Sequence, residues 1–355
     1  MKLNKEKLIK AYKNKNVYIT GITGFKGSWL ALVLHELGAN VSGMGLSPDC
    51  RNSIFYQAKV QEIADVTFGD ITSPTISSDL MKGILSSDPD YVFHMAAQPI
   101  VSEGYKNPYD TFHTNIMGTV ILHEVLRAIE SDKKVSLINI TTDKVYKEIN
   151  RPLKEDDVMH GFDPYSLSKT CSDMITSCYR DALKSKHRIS TMRAGNVIGG
   201  GDMSVNRIVP DIYTATQSGD KLEIRNPGSV RPYQHVFDAI TGYLWIALLQ
   251  KENEEYQGAY NIGPELTQTM TTIELVQKMS SKMNFEYEVT GESIGKESDY
   301  LALDNTKLKE TGWVAFFNDN EKVLDSTSEW YNKFIQGEEM KEFTLNQIKE
   351  ALDNV

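Results

Sequence analysis

The chain has 355 residues, 40% of them apolar, and carries a formal net charge of −10 at pH 7. This length is enough for a large core and for one or two domains. The acidic balance argues against nucleic acid or an acidic membrane surface as the main partner, so local basic residues and helix N-termini have to hold any anionic ligand.

The amino-terminal region and the cysteine content indicate a cytoplasmic protein. No apolar run approaches the roughly 18 residues of a membrane span, and the Lys-rich residues 1–16 lack the apolar segment of a secretory signal. Cys50, Cys171 and Cys178 are sparse and odd in number. They indicate neither a disulfide framework nor a metal site, and they fit a reducing cytoplasm.

The first half of the chain alternates between strand-like and helix-like segments. The predicted strands are residues 17–20, 40–44, 65–68, 91–94, 135–140 and 188–194. Helical patterns lie between most of them, including residues 28–37, 109–130 and 164–183. Such alternation predicts an α/β fold with a doubly wound parallel sheet that is covered by helices on both faces.

A glycine-rich turn connects the first strand to the first helix of this pattern. Gly21, Gly24 and Gly27 are spaced three apart, and Phe25 and Lys26 stand between the last two. Glycines at this spacing permit a tight turn, close approach of backbone amides to a pyrophosphate, and close packing of helix on strand. The turn alone would also fit an ordinary loop between a strand and a helix.

A second constellation lies in the middle of the chain. Thr142, Asp143 and Lys144 follow a predicted strand, and Tyr165 precedes Lys169 by one helical turn. A tyrosine holds its proton to about pH 10, and a lysine on the same helix face favours the phenolate. Asp163 and Pro164 form an N-cap and a first helical position, so Tyr165 is predicted to open a helix.

After Gly195 the pattern becomes irregular. A helix is predicted from about Arg207, and the capping box of Thr271 with Glu274 starts another that runs to about residue 283. Further helices are predicted near residues 305–310, 319–335 and 344–352. We interpret residues 1–195, together with 233–263, as a nucleotide-binding domain and the rest of 196–355 as a smaller, mixed substrate lobe.

The glycine-rich turn and the Tyr–Lys pair together resemble the extended short-chain dehydrogenase/reductase family, whose members bind NAD or NADP. The resemblance implies that the following residues contact the cofactor: Gly21, Gly24, Phe25, Lys26, Gly27, Asp70, Ile71, Ala96, Ala97, Gln98, Thr141, Tyr165 and Lys169. It also implies a largely structural role for Asn115.

The end of the second strand bears on the choice of cofactor. The fold usually has an acidic residue there for the ribose hydroxyls, but this chain reads Gly43-Met44-Gly45, with Asp49 late and no basic residue before Arg51. The lack of a strand-end arginine favours NAD over NADP, and the missing acid suggests a loose grip on it.

Thr142, Asp143 and Lys144 indicate the reaction class within the family. Sugar-nucleotide 4-epimerases of the family lack the acid at the second position, whereas 4,6-dehydratases have it, and one branch of them has Thr-Asp-Lys. Once carbon 4 is a ketone, a base must remove the carbon 5 proton while an acid protonates the departing 6-hydroxyl. The resemblance makes Tyr165 the base for oxidation and Asp143 the acid. Lys144 either takes the carbon 5 proton, if its pKa is depressed, or stabilises the enolate.

Longer motifs are similar to the branch of the family that acts on CDP-glucose. They include residues 24–30, 93–99, 193–202 and 206–211. The resemblance implies an NAD-dependent lyase of surface-polysaccharide synthesis. It places Asn196, Arg207, Arg225, Arg231 and Tyr300 at the substrate diphosphate or nucleotide, where an arginine pairs bidentately with phosphate.

Two departures from that branch leave alternatives open. Residues 147–159 replace a Trp-rich segment, and Ser102-Glu103 stands where relatives have a basic residue. The alternatives are a 4,6-dehydratase of a GDP-, UDP- or dTDP-linked hexose, a 4-epimerase, and a cofactor-sensing regulator without activity. The family also implies a homodimer in which residues 109–130 and 164–183 form a four-helix bundle with their copies.

Overall fold

A seven-stranded parallel sheet forms the centre of the computed structural model, which describes residues 2–73, 76–291 and 300–355. Its strand order is β11-β6-β5-β4-β1-β2-β3, and every neighbouring pair is parallel. The strands are β1 (Asn16–Thr20), β2 (Asn40–Gly45), β3 (Asp65–Phe68), β4 (Tyr91–His94), β5 (Ser136–Thr142), β6 (Arg188–Ala194) and β11 (Gly258–Ile262). The predicted α/β class and doubly wound sheet are therefore confirmed.

Fourteen helices are assigned within the described residues: α1 (Lys5–Tyr12), α2 (Phe25–Glu36), α3 (Ile54–Gln57), α4 (Ile76–Ser87), α5 (Val101–Lys106), α6 (Pro108–Phe112), α7 (Gly118–Ala128), α8 (Pro164–Asp181), α9 (Ile208–Ser218), α10 (Val236–Glu252), α11 (Thr272–Ser280), α12 (Thr306–Glu310), α13 (Asn320–Ile335) and α14 (Met340–Asp353). None of the helices assigned there has the length and apolar character to cross a membrane.

The sheet is covered on both faces, as its strand composition requires. Helices α2 and α10 pack on one face, and α4, α7 and α8 pack on the other. Successive side chains of a strand point to opposite faces. In β1 the alternation is visible, because Val17 and Ile19 belong to the core beneath α2 and α10, whereas Tyr18 belongs to the core beneath α4 and α7. Strands buried on both sides therefore read as continuous apolar runs.

The remaining strands form three small two-stranded sheets outside the central one. They pair β7 (Val197–Ile198) with β10 (Gln234–His235), β9 (Val230–Arg231) with β12 (Met270–Thr271), and β8 (Leu222–Ile224) with β13 (Tyr287–Val289). Between them the chain returns to the central sheet, since α10 packs on β5 and β6 and β11 pairs with β6. The division into the domains proposed from sequence stays a prediction.

Several element boundaries differ from the sequence prediction for local reasons. Helix α2 begins at Phe25, three residues before the predicted start, so Phe25 and Lys26 belong to its first turn. The predicted helix 109–130 is divided into α6, a π turn at His113–Met117, and α7. Within the π turn, the buried Asn115 side chain bonds to the loop after β4 and to α8.

Candidate active site

The glycine-rich turn has the local geometry expected of a dinucleotide-binding loop. Gly21 has φ +76°, and a Cβ there would lie 2.7 Å from the Ala96 nitrogen, while a Cβ on Gly27 would lie 2.1 Å from the Gly21 carbonyl oxygen. Both positions therefore exclude a side chain. Gly24 is exposed, and a Cβ there would meet only the Gly21 oxygen, at 3.4 Å. The open surface at Gly24 and the amides that begin α2 fit a pyrophosphate.

The strand-end acid that usually binds ribose hydroxyls is replaced for a packing reason. A Cβ at Gly45 would come 2.4 Å from the Thr23 hydroxyl oxygen, so the end of β2 lies directly against the turn. At the end of β3, the exposed Asp70 carboxylate accepts hydrogen bonds from the Thr72 amide and hydroxyl, both at 2.8 Å. The next residue, Ile71, is buried.

The segment after β4 is braced by polar side chains. The Gln98 amide group donates to the Thr111 hydroxyl at 2.8 Å, and its side-chain oxygen accepts from the Ile100 amide. Asn115 accepts from the Gln98 backbone amide and donates to Ser168 of α8. The Gln98 side chain thus supports the loop. The small side chains of Ala96 and Ala97 leave the backbone of the loop open to close approach by a ligand. The structural position of Asn115 agrees with the expectation from sequence.

A cleft of about 530 Å³ opens at the carboxyl ends of β5 and β6. The sequence-predicted catalytic residues Thr142, Asp143, Lys144 and Tyr165 line it, together with Phe25 and Lys26 from the glycine-rich turn. Tyr165 lies in the first turn of α8, which Asp163 caps by accepting from the Ser166 amide at 3.0 Å. Two motifs about twenty residues apart in the sequence therefore meet because β5 and α8 pack together.

Asp143 is a buried acid with one unused oxygen. It is 2% exposed, its Oδ1 accepts from the Thr142 hydroxyl at 3.0 Å, and no described residue hydrogen-bonds its Oδ2. Burial raises the pKa of this carboxyl, against the lowering effects of Lys144, the Thr142 hydrogen bond and Arg231. A carboxyl of this kind retains its proton to a higher pH than a solvated one, which suits a proton donor.

The Tyr165 phenol differs electrostatically from the expectation. Burial raises its pKa to about 12, and the Asp143 and Asp163 charges add to the rise, whereas the Thr142 hydroxyl and the Arg207 charge oppose it. The expected lowering by Lys169 is not observed. Burial lowers the pKa of Lys169 itself to about 8, and its ammonium donates to the Ile140 carbonyl at 2.8 Å.

Thr141 lines the cleft, and its hydroxyl belongs to a buried polar network. Its hydroxyl donates to Asp173 at 2.9 Å, and the Asp173 carboxylate forms a buried ion pair with Arg193 at 2.8 Å. Arg193 also donates to the Tyr146 hydroxyl and to the Glu155 carbonyl. This network fixes the segment after β5 against the sheet, and the contact of Thr141 with a cofactor stays a prediction.

Most of the sequence-predicted substrate residues line the same cleft. Asn196, Arg207, Arg225 and Arg231 line it. Arg207 pairs with Asp202 at 3.1 Å, and the buried Arg231 is close enough to Asp143 to affect its pKa. Tyr300 instead bridges to Val230, next to Arg231, and is not among the residues that line the cleft.

Sequence reasoning missed several acidic and polar residues of the site. Asp202 and Asp211 line the cleft, and burial raises the pKa of Asp211 to about 6 against the lowering effect of Arg225. Both residues stand inside motifs that were recognised in the sequence, so the motifs themselves were the available signal. No sequence pattern predicts the ion pair of Arg193 with Asp173, because the two residues are twenty positions apart and lie on different elements.

Comparisons with known proteins agree with this geometry. Residues 18–332 match the family model described as GDP-mannose 4,6 dehydratase. The chain is 36% identical over 354 residues to a CDP-glucose 4,6-dehydratase of Salmonella typhimurium, covering 96% of this chain and 97% of that protein. It is 24% identical to a dTDP-glucose 4,6-dehydratase of Mycolicibacterium smegmatis, covering 88% and 92%.

Solved structures share the fold at lower identity. A UDP-glucose-4-epimerase of Stenotrophomonas maltophila, with bound NAD and a UDP-sugar, superposes with a TM-score of 0.78 at 20% identity, covering 91% of this chain and 100% of that one. A dTDP-glucose 4,6-dehydratase of Bacillus anthracis in complex with NAD superposes with a TM-score of 0.74 at 21% identity, covering 91% and 98%.

Proposed function

Since the chain belongs to the GDP-mannose 4,6-dehydratase family of extended short-chain dehydrogenases/reductases, we propose that it is an NAD-dependent nucleotide-sugar 4,6-dehydratase. The proposed reaction converts CDP-glucose to CDP-4-keto-6-deoxyglucose. The CDP-glucose assignment is supported by the 36% identity to the Salmonella typhimurium enzyme over nearly the whole of both chains.

The observation that supports dehydration most directly is the state of Asp143. Expelling the 6-hydroxyl requires a proton donor besides the oxidation base, whereas inversion at carbon 4 only returns to oxygen 4 the proton that this base removed. Asp143 lines the cleft with Tyr165, has an unpartnered Oδ2, and has a raised pKa. An acid in this condition, beside the predicted oxidation base, favours the dehydratase over the epimerase.

The turn, the small residues after β4 and Lys169 fit NAD, which in this family supplies the oxidant for carbon 4 and later the reductant for carbon 6. Tyr165 takes the proton from the 4-hydroxyl, and Thr142 holds the sugar near that oxygen. Asp143 then protonates the leaving 6-hydroxyl. Lys144, which lines the same cleft, either removes the carbon 5 proton or stabilises the enolate that this removal forms.

The substrate anion is assigned to the arginines that line the cleft. In a chain with a net charge of −10, the half-buried Arg207 and Arg225 and the buried Arg231 concentrate positive charge in the cleft. Guanidinium groups bind phosphate oxygens in pairs. We assign the diphosphate and nucleotide to these arginines with Asn196, and Tyr300 a supporting position beside Arg231.

A homodimer is also part of this proposal. Large apolar side chains are exposed on the helices predicted to form the bundle: Tyr109 at 74%, Met117 at 42%, Leu167 at 41% and Met174 at 55%. Exposed apolar groups gathered on neighbouring helices are typical of an interface. Because α8 also carries Tyr165, pairing through it would brace the catalytic turn. A cytoplasmic location and a role in surface-polysaccharide synthesis complete the proposal.

The test is incubation of the protein and NAD with CDP-, UDP-, GDP- and dTDP-linked hexoses. We expect loss of one water by mass spectrometry, with the alkaline ultraviolet absorbance of a 4-keto sugar, and with CDP-glucose as the preferred substrate. A product of unchanged mass that is inverted at carbon 4 would identify an epimerase. Preference for another nucleotide would overturn the CDP assignment alone.

A further inference from the structure

Lys26 occupies an unusual position for a residue of a cofactor-binding turn. It is the second residue of α2, and the contact of Gly27 with the Gly21 oxygen fixes the backbone that carries it. Its half-buried side chain lines the same cleft as Asp143, Tyr165 and Arg207. The Lys26 side chain therefore reaches the cleft proposed for the substrate.

The charges around Lys26 are unbalanced. The charged groups that act on it are Arg207 and Lys169, which repel its ammonium, and Asp143 and Asp202, which attract it. Asp202 already pairs with Arg207 at 3.1 Å, and burial raises the pKa of Asp143, which weakens this carboxyl as a counter-ion. Within residues 2–73, 76–291 and 300–355, no group hydrogen-bonds or forms an ion pair with the Lys26 ammonium. This amine lacks the counter-ion that a partly buried lysine normally has.

A substrate anion satisfies these conditions. We propose that the Lys26 ammonium binds the diphosphate of the nucleotide sugar jointly with Arg207, so that one turn contacts cofactor through its backbone and substrate through its side chain. The inference rests on the proposed function, because it takes a nucleoside diphosphate as the ligand. The NAD pyrophosphate has the same chemistry, but the Lys26 ammonium lies near Arg207, which is assigned to the substrate diphosphate.

Proton uptake provides a signature of this contact. Burial, together with the Arg207 and Lys169 charges, lowers the pKa of Lys26 to about 7. At about pH 8 the free protein therefore holds much of this lysine neutral, and a bound dianion draws a proton onto it. Arginine, which stays charged, cannot show the effect.

The experiment is calorimetric titration of the NAD-loaded protein with CDP, UDP and GDP at about pH 8, in buffers of different ionisation enthalpy. We expect wild type to take up a fraction of a proton on binding its preferred diphosphate. Lys26→Met should bind that diphosphate about 10- to 100-fold more weakly, the loss of one charge-assisted hydrogen bond, and without proton uptake. Lys26→Arg should retain most of the affinity, also without uptake.

Three outcomes would contradict the proposal, and a fourth would contradict only the proposed function. Weaker binding of NAD with unchanged binding of CDP would assign Lys26 to the cofactor pyrophosphate. Normal diphosphate binding with turnover stalled after oxidation would make Lys26 a proton-transfer residue. Binding of none of the three diphosphates by wild type would remove the site. If the wild-type protein dehydrates no nucleotide sugar but binds CDP in a way that depends on Lys26, the proposed function is refuted and this contact stands.

Discussion

Asp143→Asn separates oxidation from dehydration in the proposed reaction. The amide has the shape of the carboxyl, and its oxygen still accepts from the Thr142 hydroxyl, which lies 3.0 Å from Oδ1. It cannot donate a proton as an acid does. General acid catalysis contributes about 10²- to 10⁴-fold, so we expect the elimination step to slow by that factor, or by about 3–5 kcal/mol in its barrier.

Oxidation should survive in the same variant, for an electrostatic reason. The charge of Asp143 raises the pKa of Tyr165, so a neutral amide leaves the phenol no harder to ionise. Elimination has to precede the reduction of carbon 6. The variant should therefore accumulate reduced nicotinamide on the enzyme after mixing with substrate, whereas wild type should not.

The assay is a rapid-mixing measurement of reduced-nicotinamide absorbance under single-turnover conditions, with quenched samples analysed for loss of water. The matched control is the double variant Tyr165→Phe/Asp143→Asn, which should form no reduced nicotinamide. The unfolding temperature of Asp143→Asn should equal or exceed that of wild type. The reason is that the variant removes a buried carboxyl whose charged form is disfavoured by burial. Dehydrated product at a near-normal rate in Asp143→Asn would refute the role of this acid.

Four further predictions test other parts of the molecule. Tyr165→Phe should abolish oxidation with NAD affinity nearly unchanged, measured by fluorescence titration, and near-normal turnover would exclude Tyr165 as the base. Lys144→Met should stop solvent deuterium from entering carbon 5 if Lys144 is the base, and entry at the wild-type rate would assign that proton to another group. Met174→Arg places a charge on an exposed apolar residue of α8 and should give a monomer by light scattering; a monomeric wild type at micromolar concentration would contradict the dimer. Burial raises the pKa of Asp238 to about 7, although its carboxylate accepts hydrogen bonds from the Phe316 and Phe317 amides. Asp238 therefore keeps its proton in the folded chain at pH values where the unfolded chain, with a pKa near ~4, has lost it. Stability should therefore fall between about pH 4 and 7 by up to ~1.4 kcal/mol per unit, and an equal slope in Asp238→Asn by chemical denaturation would contradict this assignment.

Sequence predicted the elements of this fold well where a local rule specifies them. The start of α8 follows from Asp163 and Pro164, and the Thr271–Glu274 capping box forms as expected. Gly21 and Gly27 are glycines because the strand and helix leave no space for a Cβ. The predicted start of α2 is too late, because the glycine spacing places position 27 in the loop, whereas Gly27 is a packing contact inside the helix.

Properties that depend on the assembled environment were not predictable from the sequence. The Tyr–Lys spacing correctly suggested that Tyr165 and Lys169 share a helix, but the pKa of Tyr165 rises because burial exceeds the effects of its neighbours. The direction of the Thr141 hydroxyl depends on Asp173, thirty-two residues away in the chain. The role of the Gln98 side chain likewise depends on Thr111. In each case a distant residue decides what a locally recognised side chain contacts.

Thr142 connects the two proposed proton-transfer groups. Its single hydroxyl proton is donated to Asp143 Oδ1, and the same hydroxyl group lowers the pKa of the Tyr165 phenol. When Asp143 is ionised, its carboxylate accepts the hydrogen bond from the Thr142 hydroxyl, and its negative charge raises the pKa of the Tyr165 phenol. When Asp143 is protonated, it can donate to Thr142, which frees the Thr142 proton for the phenolate. Dehydration needs Asp143 in its protonated form, and the same form favours the Tyr165 phenolate that oxidation needs. One protonation state of Asp143 therefore serves both steps.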